Sequence, residues 1–316
     1  MKKLRDYFID YDDEKRLHQS DYDKIRDKRD LILGELADDD RIITSFSKIV
    51  LGSAKLLTGV KYDDGNYDID CGLRLNIKES ERQNYPAKDC KDSIFEVMNR
   101  YRNPQYNTKC ITAIYRIDGE PSFHIDFPVF AYDEEKGTYY LADGKANETV
   151  KWVKEYPEEL INYLTIKNDD YRRIVRLLKI WNYNAFKNSK KHSKAPSVAL
   201  TLEARNWFTS NGYTNDIDSL LEIAKRLKGR MQGDHIYLTN PFTGENIFYK
   251  MEEDSNCVSI FKEKLDFFIS VIQDAKSSSS NSIYDTCVKL RKVFPDFPLP
   301  EAEKTNESFG TNARYA

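Results

Sequence analysis

The period of the apolar positions changes along the chain, and each change marks a new element. Leu17, Tyr22, Ile25, Ile32 and Leu36 recur at helical spacing among alternating charges, which predicts one long amphipathic helix over about residues 13–37. Ile42, Phe46, Ile49 and Val50 continue that spacing, so a second helix is expected, capped by Asp39 or Asp40 and ended by Gly52-Ser53. From Tyr67 the period becomes two. Ile69, Cys71, Leu73, Leu75 and Ile77 alternate with Asp68, Asp70, Gly72, Arg74 and Asn76, the pattern of a half-buried strand.

Ile94, Val97, Met98 and Tyr101 predict a helix over 89–102, followed by strands over 110–118 and 121–131 joined as a hairpin at Asp118-Gly119-Glu120-Pro121. From residue 158 helical patterns dominate. One carries Ile174, Leu177, Leu178 and Trp181, the next opens after Pro196-Ser197, and others cover 216–230, 256–275 and 283–294. Ser-rich 277–282 reads as a flexible inter-helix loop and 301–316 as a disordered tail. There is no internal repeat. The expected architecture is α+β, a mixed α/β lobe over 1–160 followed by a helical lobe over 161–300, with the long first helix bracing both.

Composition narrows the function classes. With 40% hydrophobic and 32% charged residues and a mean hydropathy of -0.69, no apolar run approaches the roughly 18 residues of a membrane span. Met1-Lys2-Lys3-Leu4-Arg5-Asp6 leads into acidic residues rather than an apolar stretch, so a signal peptide is not expected and a cytoplasmic location is. Lys plus Arg at 49 against Asp plus Glu at 52 gives a net charge of -3, which argues against coating long nucleic acid and leaves room for one positive pocket binding a small phosphorylated ligand. Cys71, Cys90, Cys110, Cys257 and Cys287 are scattered without zinc spacing, so reduced thiols are expected.

The chemistry concentrates in three aspartates. Asp68 and Asp70, two apart on a strand, project from one face while Ile69 and Cys71 point to the core. In Phe123-His124-Ile125-Asp126-Phe127-Pro128 the apolar residues share one face, leaving Asp126 on the polar one. Three carboxylates on neighbouring strands suit Mg²⁺ or Mn²⁺, and a two-metal site with ions about 3.5–4 Å apart activates an attacking hydroxyl and stabilises a leaving pyrophosphate. A D-x-D pair alone more often marks two solvated residues. Here Leu51-Gly52-Ser53-Ala54-Lys55-Leu56-Leu57-Thr58, read as a helix-to-loop junction, puts small residues and free backbone N–H groups shortly before it, where they can hold a triphosphate.

Gly52-Ser53, a short spacer, Asp68-x-Asp70 and the later Asp126 resemble the motif of the polymerase-beta-like nucleotidyltransferases. More of the chain is similar to one branch, the bacterial cGAS/DncV-like nucleotidyltransferases (CD-NTases) of anti-phage CBASS systems. Trp152-x4-Pro157, Lys179-x-Trp181, the helix-opening Ser197 and Val293-Phe294-Pro295-Asp296-Phe297-Pro298 occur in the branch's order. The resemblance implies a polymerase-beta-like core plus a helical lobe completing the nucleotide site, with two Mg²⁺ or Mn²⁺ ions on Asp68, Asp70 and Asp126. It implies phosphate binding by Gly52 and Ser53, and contacts from Lys179 and Ser197 to the donor triphosphate. The implied activity condenses NTPs, ATP and/or GTP, into a cyclic oligonucleotide messenger with release of pyrophosphate. A product-binding effector is the implied indirect partner. Some members are also joined to other molecules through their C-terminus by a ubiquitin-transfer-like partner, for which Phe309–Ala316 offers a small terminal residue.

The chain departs from the branch at Val198, where an aromatic residue often stands, and at Leu57, where a glycine is usual. Two alternatives stay open at this level: an enzyme of the same fold making linear products or modifying tRNA or a small molecule, and a catalytically silent nucleotide-binding scaffold. Lys187, Lys190, Lys191, His192 and Lys194 read as a solvated basic loop or a phosphate contact, Lys179 as a ligand contact or a surface charge, and Asn240-Pro241-Phe242-Thr243-Gly244 as a turn.

Overall fold

The computed structural model describes residues 2–62, 67–117, 120–190 and 192–301. Two helices open the chain, α1 (Leu4–Lys15) and α2 (Gln19–Ala37), where the periodicity predicts one. Arg16 and Val60 form an antiparallel bridge, with Leu17 N donating to Gly59 O (3.1 Å) and Lys61 N to Lys15 O (2.7 Å). Backbone groups committed to that pairing cannot also close helical hydrogen bonds. Gly59 is needed at the crossing, since a Cβ there would come within 2.6 Å of Leu17 Cδ1 and of the Tyr22 hydroxyl.

The second expected helix is instead a strand. β1 (Phe46–Leu51) pairs antiparallel with β2 (Tyr67–Asn76), Phe46 opposite Leu75 and Leu51 opposite Asp70. Phe46, Ile49 and Val50 lie in a run too short for spacing to separate helix from strand, and the cross-strand partner decides. Gly52-Ser53 therefore opens a short helix, α3 (Gly52–Leu56), rather than ending one.

The rest of the sheet is built around β2. After α4 (Ala87–Tyr101) come β3 (Gln105–Tyr106), β4 (Ile111–Ile117), β5 (Glu120–Phe127), β6 (Val129–Asp133), β7 (Thr138–Asp143) and β8 (Lys151–Glu155). β5 and β6 pair in parallel with successive parts of β2 at one offset, Asp70 facing Asp126 and Leu73 facing Val129. Pro128, with no N–H to give, marks the joint, and its carbonyl accepts from Leu73 N at 2.9 Å. The expected strand over 121–131 is thus two strands. β4 lies antiparallel beside β5, and β7 and β8 continue beyond β6. Asp118-Gly119 of the expected turn lies outside the described residues.

The remaining chain is mainly helical: α5 (Pro157–Leu164), α6 (Asp169–Phe186), α7 (Ser197–Asn211), α8 (Asp216–Gly229), α9 (Tyr249–Glu252), α10 (Ser255–Ser278) and α11 (Ile283–Leu290). α10 runs through Ser278, so the Ser-rich connection shortens to 279–282, and Ser282 caps α11 by accepting from Asp285 N at 3.0 Å. One core joins Ile69, Cys71 and Leu73 of β2 to Ile94 and Val97 of α4 and to Ile25 and Ile32 of α2. The other gathers the later helices, and α1 belongs to it: Phe8 and Tyr11 pack on Phe297 and Phe294, with ring centroids 4.9 and 5.9 Å apart. The expected single brace is therefore a pair of helices, one seated on each core. None of the five cysteines is in a disulfide bond. Among the described residues no helix is long and apolar enough to cross a membrane. The tail from residue 302, with Phe309–Ala316, lies outside the described residues.

Candidate active site

The β1 to α3 junction explains the Gly-Ser signal sterically. Gly52 follows Leu51, the register partner of Asp70, and adopts φ +57. A Cβ on it would sit 1.7 Å from Asp70 Oδ2. Only glycine permits both the left-handed backbone and that approach. At the other end of α3, Leu57 also takes a left-handed conformation (φ 57, ψ 39), which gives the physical reason a glycine would be at ease there.

Two cations from α6 hold the segment after α3. Buried Arg176 donates to Leu57 O (2.7 Å) while gripping Asp12 of α1 through two bonds of 2.6 Å. One turn on, Lys179 Nζ donates to Thr58 O (3.1 Å) and Thr58 Oγ1 (3.2 Å). Lys179 is only 6% exposed, which removes its reading as a surface charge. Burial pushes its ammonium down to about 8, against the pull of Asp68 and Asp70.

Gly52, Ser53, Asp68, Asp70, Lys179 and Ser197 line one cavity of about 290 Å³. Ser197 is the first residue of α7, set there by Pro196. Asp126 reaches the group through the sheet, as the register partner of Asp70 on β5. Asp68, His124 and Asp126 each offer one ligand atom within 4.8 Å of the others. His124 is the register partner of Asp68, so the parallel pairing of β2 with β5 collects all four side chains. Burial, with Asp68 and Asp126 close by, pushes the Asp70 carboxyl up to about 8. Burial raises Asp126 as well, opposed by the Thr112 hydroxyl and by His124. Carboxylates crowded so that their ionised forms repel, with an imidazole alongside, form a donor set suited to a divalent cation.

A larger cavity of about 1180 Å³ adjoins the first through Leu51, Asp70, Leu160, Ser197 and Val198. Lys187, Lys190, His192 and Lys194 of the basic loop line it; Lys190 is also paired with Asp254. Lys191 lies outside the described residues. Across it, Lys109 stands 3.4 Å from Glu155 and 3.6 Å from Glu245. The Asn240 turn is closed by Gly244 N donating to Asn240 O at 2.9 Å, and Phe242 stacks on Tyr156 with centroids 6.2 Å apart. Trp152 donates to Tyr85 O at 2.7 Å, and Pro157 opens α5 at the cavity wall.

Two residues that touch this arrangement escape sequence reasoning, Thr112 and Arg176. Each acts through the backbone or through another side chain. Thr112 lies opposite Asp126 in the observed register, one residue away from the pairing a regular hairpin would give.

No protein-family model and no curated protein sequence matches the chain. Among solved structures, CD-NTase CdnG of Bradyrhizobium diazoefficiens in complex with GTP is similar at TM-score 0.72 and 13% identity, over 93% of this chain and 96% of that one. The Vibrio cholerae cyclic AMP-GMP synthase DncV in complex with nonhydrolyzable GTP is similar at TM-score 0.72 and 15% identity, over 95% and 100%. CdnC of E. coli MS115-1 with ATP is similar at TM-score 0.66 and 15% identity, over 93% and 98%. The chain has the α+β fold of these proteins along nearly its whole length.

Proposed function

We propose that this protein is a metal-dependent nucleotidyltransferase that condenses NTPs into a cyclic oligonucleotide, releasing pyrophosphate. One observation carries the reading: the parallel register of β2 with β5 puts Asp70 opposite Asp126 and Asp68 opposite His124, and Asp68 and Asp70 line a cavity together with Gly52, Ser53, Lys179 and Ser197. The similarity to structures described as holding GTP or ATP supports purine NTPs as substrates. The described residues to 160 would carry the acidic group, and 161–300 the lysine and serine that close on the triphosphate.

The acidic residues fit a divalent ion, because burial and mutual repulsion hold Asp70 and Asp126 toward their protonated forms and a cation relieves both. Asp68, Asp70 and Asp126, with His124 adjacent, would hold Mg²⁺ or Mn²⁺. When bound, such ions supply Lewis acidity toward a ribose hydroxyl and offset charge on the departing pyrophosphate. Asp126 takes the acceptor hydroxyl proton. The left-handed turn at Gly52 lets the phosphate chain approach the backbone of α3, and Ser53 and Ser197 add hydroxyl donors. Lys179 presents an ammonium whose burial strengthens its attraction for phosphate.

Purified protein is incubated with four labelled NTPs and Mg²⁺ or Mn²⁺, then with phosphatase, and the products are weighed by mass spectrometry. A phosphatase-resistant oligonucleotide without terminal phosphate is the expected product. A phosphatase-sensitive linear product, or transfer to an added RNA, would move the assignment to another reaction of the same fold.

A further inference from the structure

The strand edge behind Asp126 carries a hydrogen-bond chain that ends on its carboxylate. Thr112 of β4 is the register partner of Asp126, and its Oγ1 donates to Asp126 Oδ1 at 2.5 Å. Thr112 is itself buried, at 5% exposure. Asn107 Nδ2 donates to the same Oγ1 at 2.8 Å. An oxygen that receives the amide proton there has its own proton free to point at the carboxylate, so the chain has one direction, from Asn107 through Thr112 to Asp126.

The start of the chain is fixed to the protein interior. Lys91 of α4 is fully buried, and its ammonium donates to the carbonyls of Asn107 (2.8 Å), Thr108 (2.8 Å), Ala142 (3.2 Å) and Gly144 (2.9 Å). Asn107 N donates to Cys110 O at 2.9 Å, closing the turn that leads into β4. Asn107 is thus held at both its backbone groups, and the position of its side chain follows.

We infer that Thr112 is a positioning residue for the proposed reaction: it occupies Asp126 Oδ1 and fixes the carboxylate rotamer that keeps Asp126 within ligand distance of Asp68 and His124, with Asn107 and Lys91 setting the direction of its hydroxyl. The inference rests on the nucleotidyltransferase reading for its kinetic consequence and on geometry alone for its effect on cation binding. The Cys110 thiol, 3.6 Å from Thr112 Oγ1, is a second and weaker partner of Asp126, so a carboxylate that loses the hydroxyl is held by the thiol alone and can rotate more readily about its terminal bond. Outer-shell partners of a ligating group typically carry about 10–100-fold in metal affinity or activity.

Three variants separate positioning from packing. Thr112→Val keeps the branched shape and removes the hydroxyl, Thr112→Ser keeps the hydroxyl, and Asn107→Ala leaves the hydroxyl without its orienting donor. Each is titrated with Mn²⁺ alone, followed by electron paramagnetic resonance, and each is assayed with NTP. The expected result is Mn²⁺ affinity and kcat lower by about tenfold or more in Thr112→Val, with KM for NTP within about twofold, near-parent values in Thr112→Ser, and an intermediate loss in Asn107→Ala. Equal Mn²⁺ affinity in the parent and Thr112→Val, binding by neither included, overturns the inference, as does a loss in Thr112→Val that Thr112→Ser shares. A parent that binds Mn²⁺ yet turns over no NTP overturns the nucleotidyltransferase reading while the Mn²⁺ series still decides the role of Thr112.

Discussion

Lys91 and Lys179 are both buried lysines, and burial pushes both down to about 8. Their surroundings differ in what is left over. Lys91 has four backbone carbonyls around three N–H groups and a Tyr106 ring 4.7 Å away, so its hydrogen-bonding capacity is spent within the protein. Lys179 has two acceptors, both on Thr58, lies in the field of Asp68 and Asp70, and borders the cavity. One N–H of Lys179 therefore has no acceptor among the described residues. A saturated buried charge builds a fold, whereas an incompletely paired one beside a cavity has capacity for a ligand.

The largest expected effect is on the saturated side. Lys91→Met removes a donor from four carbonyls, of which Thr108 O keeps Gly144 N at 3.0 Å; at about 1–3 kcal/mol for each group left unsatisfied, with partial relaxation, the loss should be on the order of 4 kcal/mol in urea unfolding. A loss below about 1 kcal/mol would show that water or rearrangement replaces the ammonium readily, and the contrast between the two lysines would collapse. Next comes Gly52→Ala, which puts a Cβ against Asp70 Oδ2 on a left-handed backbone. It should cost on the order of 1–3 kcal/mol in thermal unfolding and remove NTP consumption, because Asp70 must move. Unchanged turnover would mean that Asp70 has slack the geometry does not suggest.

Lys179→Ala should act on binding more than on folding. KM for NTP is expected to rise about tenfold, worth about 1.4 kcal/mol, with a loss of stability smaller than that of Lys91→Met because fewer acceptors lose their donor. Unchanged kinetics would return Lys179 to a structural cap on Thr58. The remaining effect is a slope. Asp70, raised from 3.8 to about 8, holds its proton more tightly in the folded state, so without metal its contribution makes stability fall as pH rises from about 4 toward 8. Lys179 and Lys91, lowered from 10.5 to about 8, release protons more readily when folded, so their contribution rises from about 8 to 10.5. Asp70→Asn should flatten the lower arm of the stability profile and leave the upper one. An unchanged lower arm would place the titrating group elsewhere.

Much of this arrangement is legible in the sequence. The alternation through β2 separates the core residues Ile69, Cys71 and Leu73 from Asp68 and Asp70 without further information, because period two is unambiguous over ten residues. β1 is not legible in the same way: its burial follows no strict alternation, and its six residues fit a helical stripe until Leu51 is known to face Asp70. The break between α1 and α2 comes from a bridge to Val60, far along the chain. Thr112 is hidden by a single residue. A regular hairpin in which Ile117 faces Glu120 would set Thr112 against Ile125, on the wrong face. A bulge between Tyr115 and Arg116 shifts the register so that Thr112 meets Asp126. Lys91 looks like one more charge in a polar helix, and only the packing of α4 against the 107–108 turn and the end of β7 gives it four carbonyls.

The proposed chemistry depends on the shared acidic group, and its most direct test is pyrophosphate release from mixed NTPs by the parent and by Asp68→Asn/Asp70→Asn, measured beside thermal unfolding with and without Mn²⁺. Asn is nearly isosteric with Asp and removes repulsion, so the double variant should unfold at or slightly above the parent temperature without metal. It should release no pyrophosphate and should lose the stabilisation that Mn²⁺ with NTP gives the parent. A folded double variant that still releases pyrophosphate at the parent's rate would contradict the account.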